Sequence, residues 1–111
     1  MKNEYEELLN RIIHQFLVHS FLYYKLDTSI ISDEFYDKIC FDLVELKKND
    51  EYKKHRYSSY IEGLDASGSG FYLSKYPPNI ISTAFHLLYN NLKPNETFPQ
   101  FVARWGYGQK T

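Results

Sequence analysis

The stretch FLYYKLDTSIISDEFYD, residues 21–37, crowds tyrosines, serines and aspartates around a short bend in an otherwise apolar part of the chain. Ser32 is a good helix N-cap, and the acids that follow it suit the first turn of a helix. The link 27–31 is short, so the flanking helices should form an antiparallel hairpin. A hydrophobic core does not need these polar groups. They therefore face a ligand, face a partner, or are ordinary surface residues.

On both sides of the bend the apolar residues recur at steps of three and four, which predicts amphipathic helices. The first helix should run from Asn3 to about Lys25. Its core face is Tyr5, Leu8, Leu9, Ile12, Ile13, Phe16 and Leu17. The second should begin at Ser32 and fade at 47–50. Its core face is Phe35 or Tyr36, then Ile39, Cys40, Leu43 and Leu46.

The second half of the chain is less regular. Residues 49–70 are rich in serine, glycine and tyrosine and predict a loop, followed by a possible short strand at 71–73. The Pro77-Pro78 pair stops that strand and favours a third helix over about 79–91. The tail predicts a short helix or docked segment carrying Phe98, Phe101, Val102 and Trp105. The expected fold is mainly α, in a single domain spanning 1–111.

Composition limits the functional classes. A net charge of −1 gives no bulk positive field for nucleic acid or anionic membrane, although Lys53, Lys54, His55 and Arg56 form a local basic cluster. No apolar run approaches the roughly 20 residues of a membrane span, and the first residues do not resemble a signal peptide. A cytoplasmic protein is therefore expected. The single cysteine, Cys40, excludes an intramolecular disulfide, and the histidine spacing predicts no metal site.

The segment HSFLYYKLDTSIISDEFYDKICFDLVEL, residues 19–46, resembles the N-terminal Ia domain of bacterial NAD⁺-dependent DNA ligases. That family has a tyrosine-rich helix end, a Leu-Asp step, Ile-Ser-Asp-x-x-Tyr-Asp and a leucine-rich helix. Its Ia domain binds the nicotinamide mononucleotide (NMN) half of NAD⁺ and is needed for self-adenylation. The resemblance implies an NMN or NAD⁺ site at Tyr23, Tyr24, Asp33, Tyr36 and Asp37. At the position of Tyr24 the resemblance also allows histidine.

The resemblance has limits. The family commonly carries a proline in the link, where this chain has Thr28-Ser29, and residues 51–111 show no match. Ligase chemistry also needs a lysine nucleophile in a Lys-x-Asp-Gly motif, and this sequence contains none. An adenylation domain would not fit in 111 residues. We therefore expect a protein that is not a ligase and not an enzyme, and that requires no cofactor.

The residues at the bend make chemical sense without the family. Asp33, Tyr36 and Asp37 are spaced i, i+3 and i+4, so they share one helix face, and the hairpin should bring Tyr23 and Tyr24 near it. Tyrosine rings can stack on the flat nicotinamide cation, and carboxylates can offset its charge. Carboxylate oxygens also pair well with ribose hydroxyls. For the phosphate, Lys25 and Lys38 are both candidate donors.

Three functions are compatible with the sequence. The first is an interaction module, of the kind a phage or mobile element encodes, that inhibits or modulates a host protein such as a defence-system enzyme. Its partner-binding surface would be tyrosine-rich, at Tyr52, Tyr57, Tyr60, Tyr72 and Tyr76. The alternative is an accessory module that binds NMN or NAD⁺. A third, single-stranded nucleic-acid binding, is disfavoured by the net charge.

Overall fold

The computed structural model describes residues 3–64, 73 and 75–106, and this part of the chain is mainly helical. Five α-helices follow one another, with a 3₁₀ helix at Asp50–Lys54 between the second and the third. They are α1 (Glu4–Lys25), α2 (Asp33–Leu46), α3 (Ser58–Ile61), α4 (Pro78–Leu92) and α5 (Phe98–Arg104). The mainly α fold predicted from the sequence is confirmed.

Local sequence signals determine where the first two helices begin. Asn3 caps α1 through a capping box with Glu6, in which each side chain bonds the other residue's backbone N–H. Ser32 caps α2 by accepting a hydrogen bond from the Phe35 N–H, as its position in the sequence predicts.

The first two helices form the predicted antiparallel hairpin. Near its open end the Tyr5 hydroxyl donates to the Leu46 carbonyl at 2.7 Å, and near the bend Ser20 meets Tyr36 at 2.6 Å. The face that α2 turns towards α1 carries Ile39, Cys40 and Leu43, each no more than 2% exposed. Tyr36, which is half-buried, takes the inward position that the sequence left open between it and Phe35.

Helices α4 and α5 complete the core through aromatic contacts. Phe21 of α1 meets Phe85 of α4 edge-to-face at 5.7 Å, and Phe85 in turn meets Phe101 of α5 at 6.4 Å. Phe85 and Phe101 are at most 1% exposed. The helix predicted over about 79–91 is therefore present as α4, and the predicted docked C-terminal segment is present as α5.

The segment after α2 is more ordered than its composition suggests. The Lys47 ammonium donates to three carbonyls, those of Ile61 at 2.7 Å, Glu62 at 3.2 Å and Leu64 at 2.7 Å. These carbonyls lie at and just beyond the C-terminal end of α3, which a cation stabilises. Residues 65–70 of the predicted loop lie outside the described residues. So do positions 71 and 72 of the predicted strand, while Leu73 carries no strand.

No helix in the described ranges is long and apolar enough to cross a membrane.

Candidate ligand site at the helical bend

A cavity of about 250 Å³ opens beside the bend between α1 and α2. All five residues predicted to bind the nicotinamide nucleotide line it, although they lie on two helices and are spread over 15 positions of the sequence. The complete lining is His19, Tyr23, Tyr24, Ser29, Ile31, Asp33, Tyr36 and Asp37. The hairpin therefore brings together the side chains that the sequence groups only by spacing.

The bend itself depends on one unusual backbone conformation. Asp27 has a φ of 54°, in the left-handed region that aspartate tolerates better than most residues. The Thr28 N–H then donates to the Leu22 carbonyl at 3.0 Å, which reverses the chain just after α1 ends. This reversal places α2 so that its first turn faces the last turn of α1.

Tyr36 is the most firmly held aromatic side chain of the site. Its hydroxyl is 2.6 Å from the Ser20 hydroxyl, and Ser20 is completely buried. Its ring stacks on Phe16 with centroids 6.5 Å apart and 19° between the planes. A half-buried ring fixed at both its face and its tip is a preorganised surface for a flat ligand.

Two further aromatic rings line the cavity. Tyr23 and Tyr24 meet edge-to-face with centroids 4.7 Å apart, and Tyr23 lies 6.2 Å from Tyr36 at a 36° tilt. Tyr23 is 48% exposed, so it can adjust to a ligand at little cost in packing. The three tyrosines thus present both fixed and adjustable aromatic surface.

The carboxylates give the cavity its electrostatic character. Asp33 and Asp37 both line it and are solvent-exposed, and neither has an ion pair within the described part of the chain. Lys38, one of the two candidate phosphate donors, instead pairs with Asp42 at 2.9 Å. Lys25, the other candidate, does not line the cavity.

Three lining residues were not identified from the sequence: His19, Ser29 and Ile31. His19 lies one helical turn before Tyr23, and that i, i+4 spacing was the available signal. Burial lowers the pKa of His19 below its usual 6.5, so the ring is neutral at pH 7. Ser29 bonds the Ile31 carbonyl at 2.6 Å and shapes the link that closes one side of the cavity.

The predicted partner-binding tyrosines do not form one exposed surface, which corrects the sequence interpretation. Tyr52, Tyr57 and Tyr76 are 6%, 8% and 7% exposed and belong to the core. Tyr52 reaches this position because its hydroxyl donates to Glu62 at 3.1 Å, so the polar tip is satisfied while the ring is buried. Tyr60 is half-buried against Tyr57, and Tyr72 lies outside the described residues.

A second cavity, of about 500 Å³, lies near the other end of the hairpin. Three of the four residues of the basic cluster, Lys54, His55 and Arg56, form part of its wall, and each of these side chains contacts a neighbour. Lys54 pairs with Glu51 at 3.0 Å, His55 bonds the Asn10 side chain at 2.8 Å, and the Arg56 guanidinium lies 4.8 Å from the centre of the Tyr57 ring. This cavity has acids as well as bases in its wall, so it does not form a simple anion site.

Within the described ranges, no group of three or more histidine, cysteine or acidic side chains is arranged to hold a metal ion. Comparison of the chain with protein-family models, with curated proteins and with solved structures gave no match.

Proposed function

We propose that this protein binds the nicotinamide end of NMN or NAD⁺ without catalysing a reaction on it. The observation that carries the proposal is the convergence of Tyr23, Tyr24, Asp33, Tyr36 and Asp37 on one cavity at the helical bend. A shared spacing in sequence does not by itself require a shared cavity. The same five positions are those implied by the resemblance to the ligase Ia domain.

The chemistry of the cavity supports a flat cationic ligand. The Tyr36 ring, held by Ser20 and Phe16, offers a face for the nicotinamide ring to stack on. Asp33 and Asp37 supply negative charge in the same cavity, and their oxygens are acceptors for ribose hydroxyls. These are the contacts a nicotinamide riboside moiety requires.

The proposed role is an accessory one, because the chain lacks the Lys-x-Asp-Gly nucleophile that ligase chemistry uses. A small domain that captures the nucleotide can sequester it or present it to another protein. Either role needs binding alone, and no transfer step is assigned to this chain.

Calorimetric titration of the purified protein with NMN tests the proposal. We expect saturable binding that weakens about tenfold or more in Asp37→Asn, because a charge-assisted contact is lost. The matched control is Asp42→Asn, on the same helix but paired with Lys38 and absent from the cavity wall. Absence of heat with the wild type at millimolar NMN, or equal affinity in both variants, would reject the site.

A second candidate function, the protein-interaction module, is favoured by the outer surface of α2. Phe35 and Phe41 on this helix are 46% and 63% exposed, and aromatic side chains that are available on a surface can serve as interface anchors. These residues replace the tyrosine set as the proposed contact surface. An inhibitor of a host protein should lose partner capture in Phe41→Ser while it retains NMN binding. Capture that is unchanged in this variant would remove α2 from the interface.

A further inference from the structure

The proposed function leaves open which part of a nicotinamide nucleotide the cavity recognises. Besides NMN and NAD⁺, the same aromatic and acidic groups would meet the unphosphorylated riboside. The charges around the cavity distinguish among these ligands, because a riboside is a cation whereas a phosphate monoester adds about −1.5 to −2 charge at neutral pH.

The lining contains negative charge and nothing positive to oppose it. Asp33 and Asp37 are its charged residues, and no lysine or arginine of the described ranges is among the residues that line it. His19 adds no positive charge at pH 7, since burial lowers its pKa. The two phosphate donors suggested by the sequence are both elsewhere, since Lys38 pairs with Asp42 and Lys25 is not among the lining residues.

The N-terminus of α2 is the remaining group that would attract a phosphate, and its residues counter that attraction. The Ser32 hydroxyl already accepts the Phe35 N–H at 3.1 Å. Asp33 and Glu34 occupy the first turn, so their negative charges offset the positive end of the helix dipole. A phosphate placed here would meet like charges.

Size leads to the same conclusion. The cavity volume of about 250 Å³ is below the range of roughly 300–1,000 Å³ that is usual for pockets enclosing drug-sized ligands. A ring with its sugar suits this volume better than a whole dinucleotide does. The rest of a larger ligand would have to extend into solvent.

We infer that the cavity recognises the nicotinamide riboside cation, reading the charge of the ring through Asp33 and Asp37 and leaving any 5′-phosphate outside. This inference rests on the proposed function and names the part of the ligand that carries affinity. The group that the cavity recognises is then the oxidised, positively charged nicotinamide ring. The reduced dihydropyridine ring, which is neutral, loses both the cation–aromatic and the carboxylate attraction.

The test is a calorimetric titration of the full chain with three pure ligands: nicotinamide riboside, NMN and reduced NMN. We expect the riboside to bind at least as tightly as NMN, and reduced NMN to bind about tenfold more weakly than NMN or worse. In Asp37→Asn the difference in affinity between the oxidised and reduced forms should narrow, because one of the two carboxylates that attract the cation is lost. In Asp42→Asn their difference should persist.

The contrary outcomes separate this inference from the proposed function. NMN binding more than about threefold tighter than the riboside would show that the phosphate is read, and would overturn the inference while the nucleotide site stands. Equal affinity for oxidised and reduced NMN would overturn the recognition of charge. Failure of all three ligands to bind would reject the proposed function itself.

Discussion

The hydrogen bond between Ser20 and Tyr36 links the stability of the hairpin to the geometry of the proposed site. Its oxygen–oxygen distance of 2.6 Å is within the usual range for a hydroxyl pair, and Ser20 is fully buried. A typical internal hydrogen bond contributes about 0.5–1.5 kcal/mol to the free energy of unfolding. Ser20→Ala removes this one bond and should therefore destabilise the protein by about 0.5–1.5 kcal/mol.

A double-mutant cycle isolates this bond from the other contacts of Tyr36. We expect Ser20→Ala and Tyr36→Phe to be less than additive, with a coupling energy of about 1 kcal/mol. Urea unfolding measures it, since a slope of about 1–3 kcal/mol per molar urea converts 1 kcal/mol into a midpoint shift of about 0.3–1 M. Ser82→Ala, at an exposed serine of α4, should stay within about 0.5 kcal/mol of the wild type. If the effects of the two substitutions add to within about 0.3 kcal/mol, the hydrogen bond between Ser20 and Tyr36 does not stabilise the hairpin.

Three further outcomes follow from the contacts. Lys47→Met should destabilise the protein by about 1.5–3 kcal/mol, because it removes a charged donor from three carbonyls. The control Lys48→Met, at an exposed ion pair, should change the free energy of unfolding by less than about 0.5 kcal/mol. Equal effects of the two substitutions in urea unfolding would contradict the role of Lys47. The lowered pKa of His19 means that the unfolded chain binds the proton more readily, so the free energy of unfolding should fall as pH drops below 6.5. His19→Gln should reduce that slope, and an unchanged pH profile would exclude His19 as its source. Burial raises the pKa of Cys40 to about 11 from 9.0, so its alkylation at pH 8 should be roughly a hundredfold slower in the native protein than in urea; equal rates would show an accessible thiolate.

The sequence predicted the hairpin well because its signals are local. The Ser32 cap, the acidic first turns and the three- and four-residue apolar steps act within a few residues of one another. The five site residues could be grouped for a similar reason, since helix spacing and a short link together limit where their side chains can lie. The i, i+4 spacing to Tyr23 was the one signal for His19, and it is weak because a histidine within an apolar run fits a core edge equally well.

The tyrosines of the second half could not be assigned from sequence, because burial of tyrosine depends on distant partners. Tyr52 is buried through a bond to Glu62, and Tyr76 through contact with Phe21, 55 positions earlier in the chain. The contacts of Lys47 with the end of α3 likewise join residues that are distant in the sequence. Because the composition of residues 49–70 does not reveal these contacts, the sequence predicts a loop there. Long side chains with a polar tip fit a core or a surface equally well until their partners are known.

Binding of a nicotinamide nucleotide at the bend can be tested by NMR titration of the ¹⁵N-labelled protein with NMN. We expect saturable shifts of backbone amides concentrated in residues 19–37, with the other cavity, at Glu6–His14 and Glu51–Arg56, unaffected. Shifts confined to that second cavity, or no shifts at millimolar NMN, would contradict it.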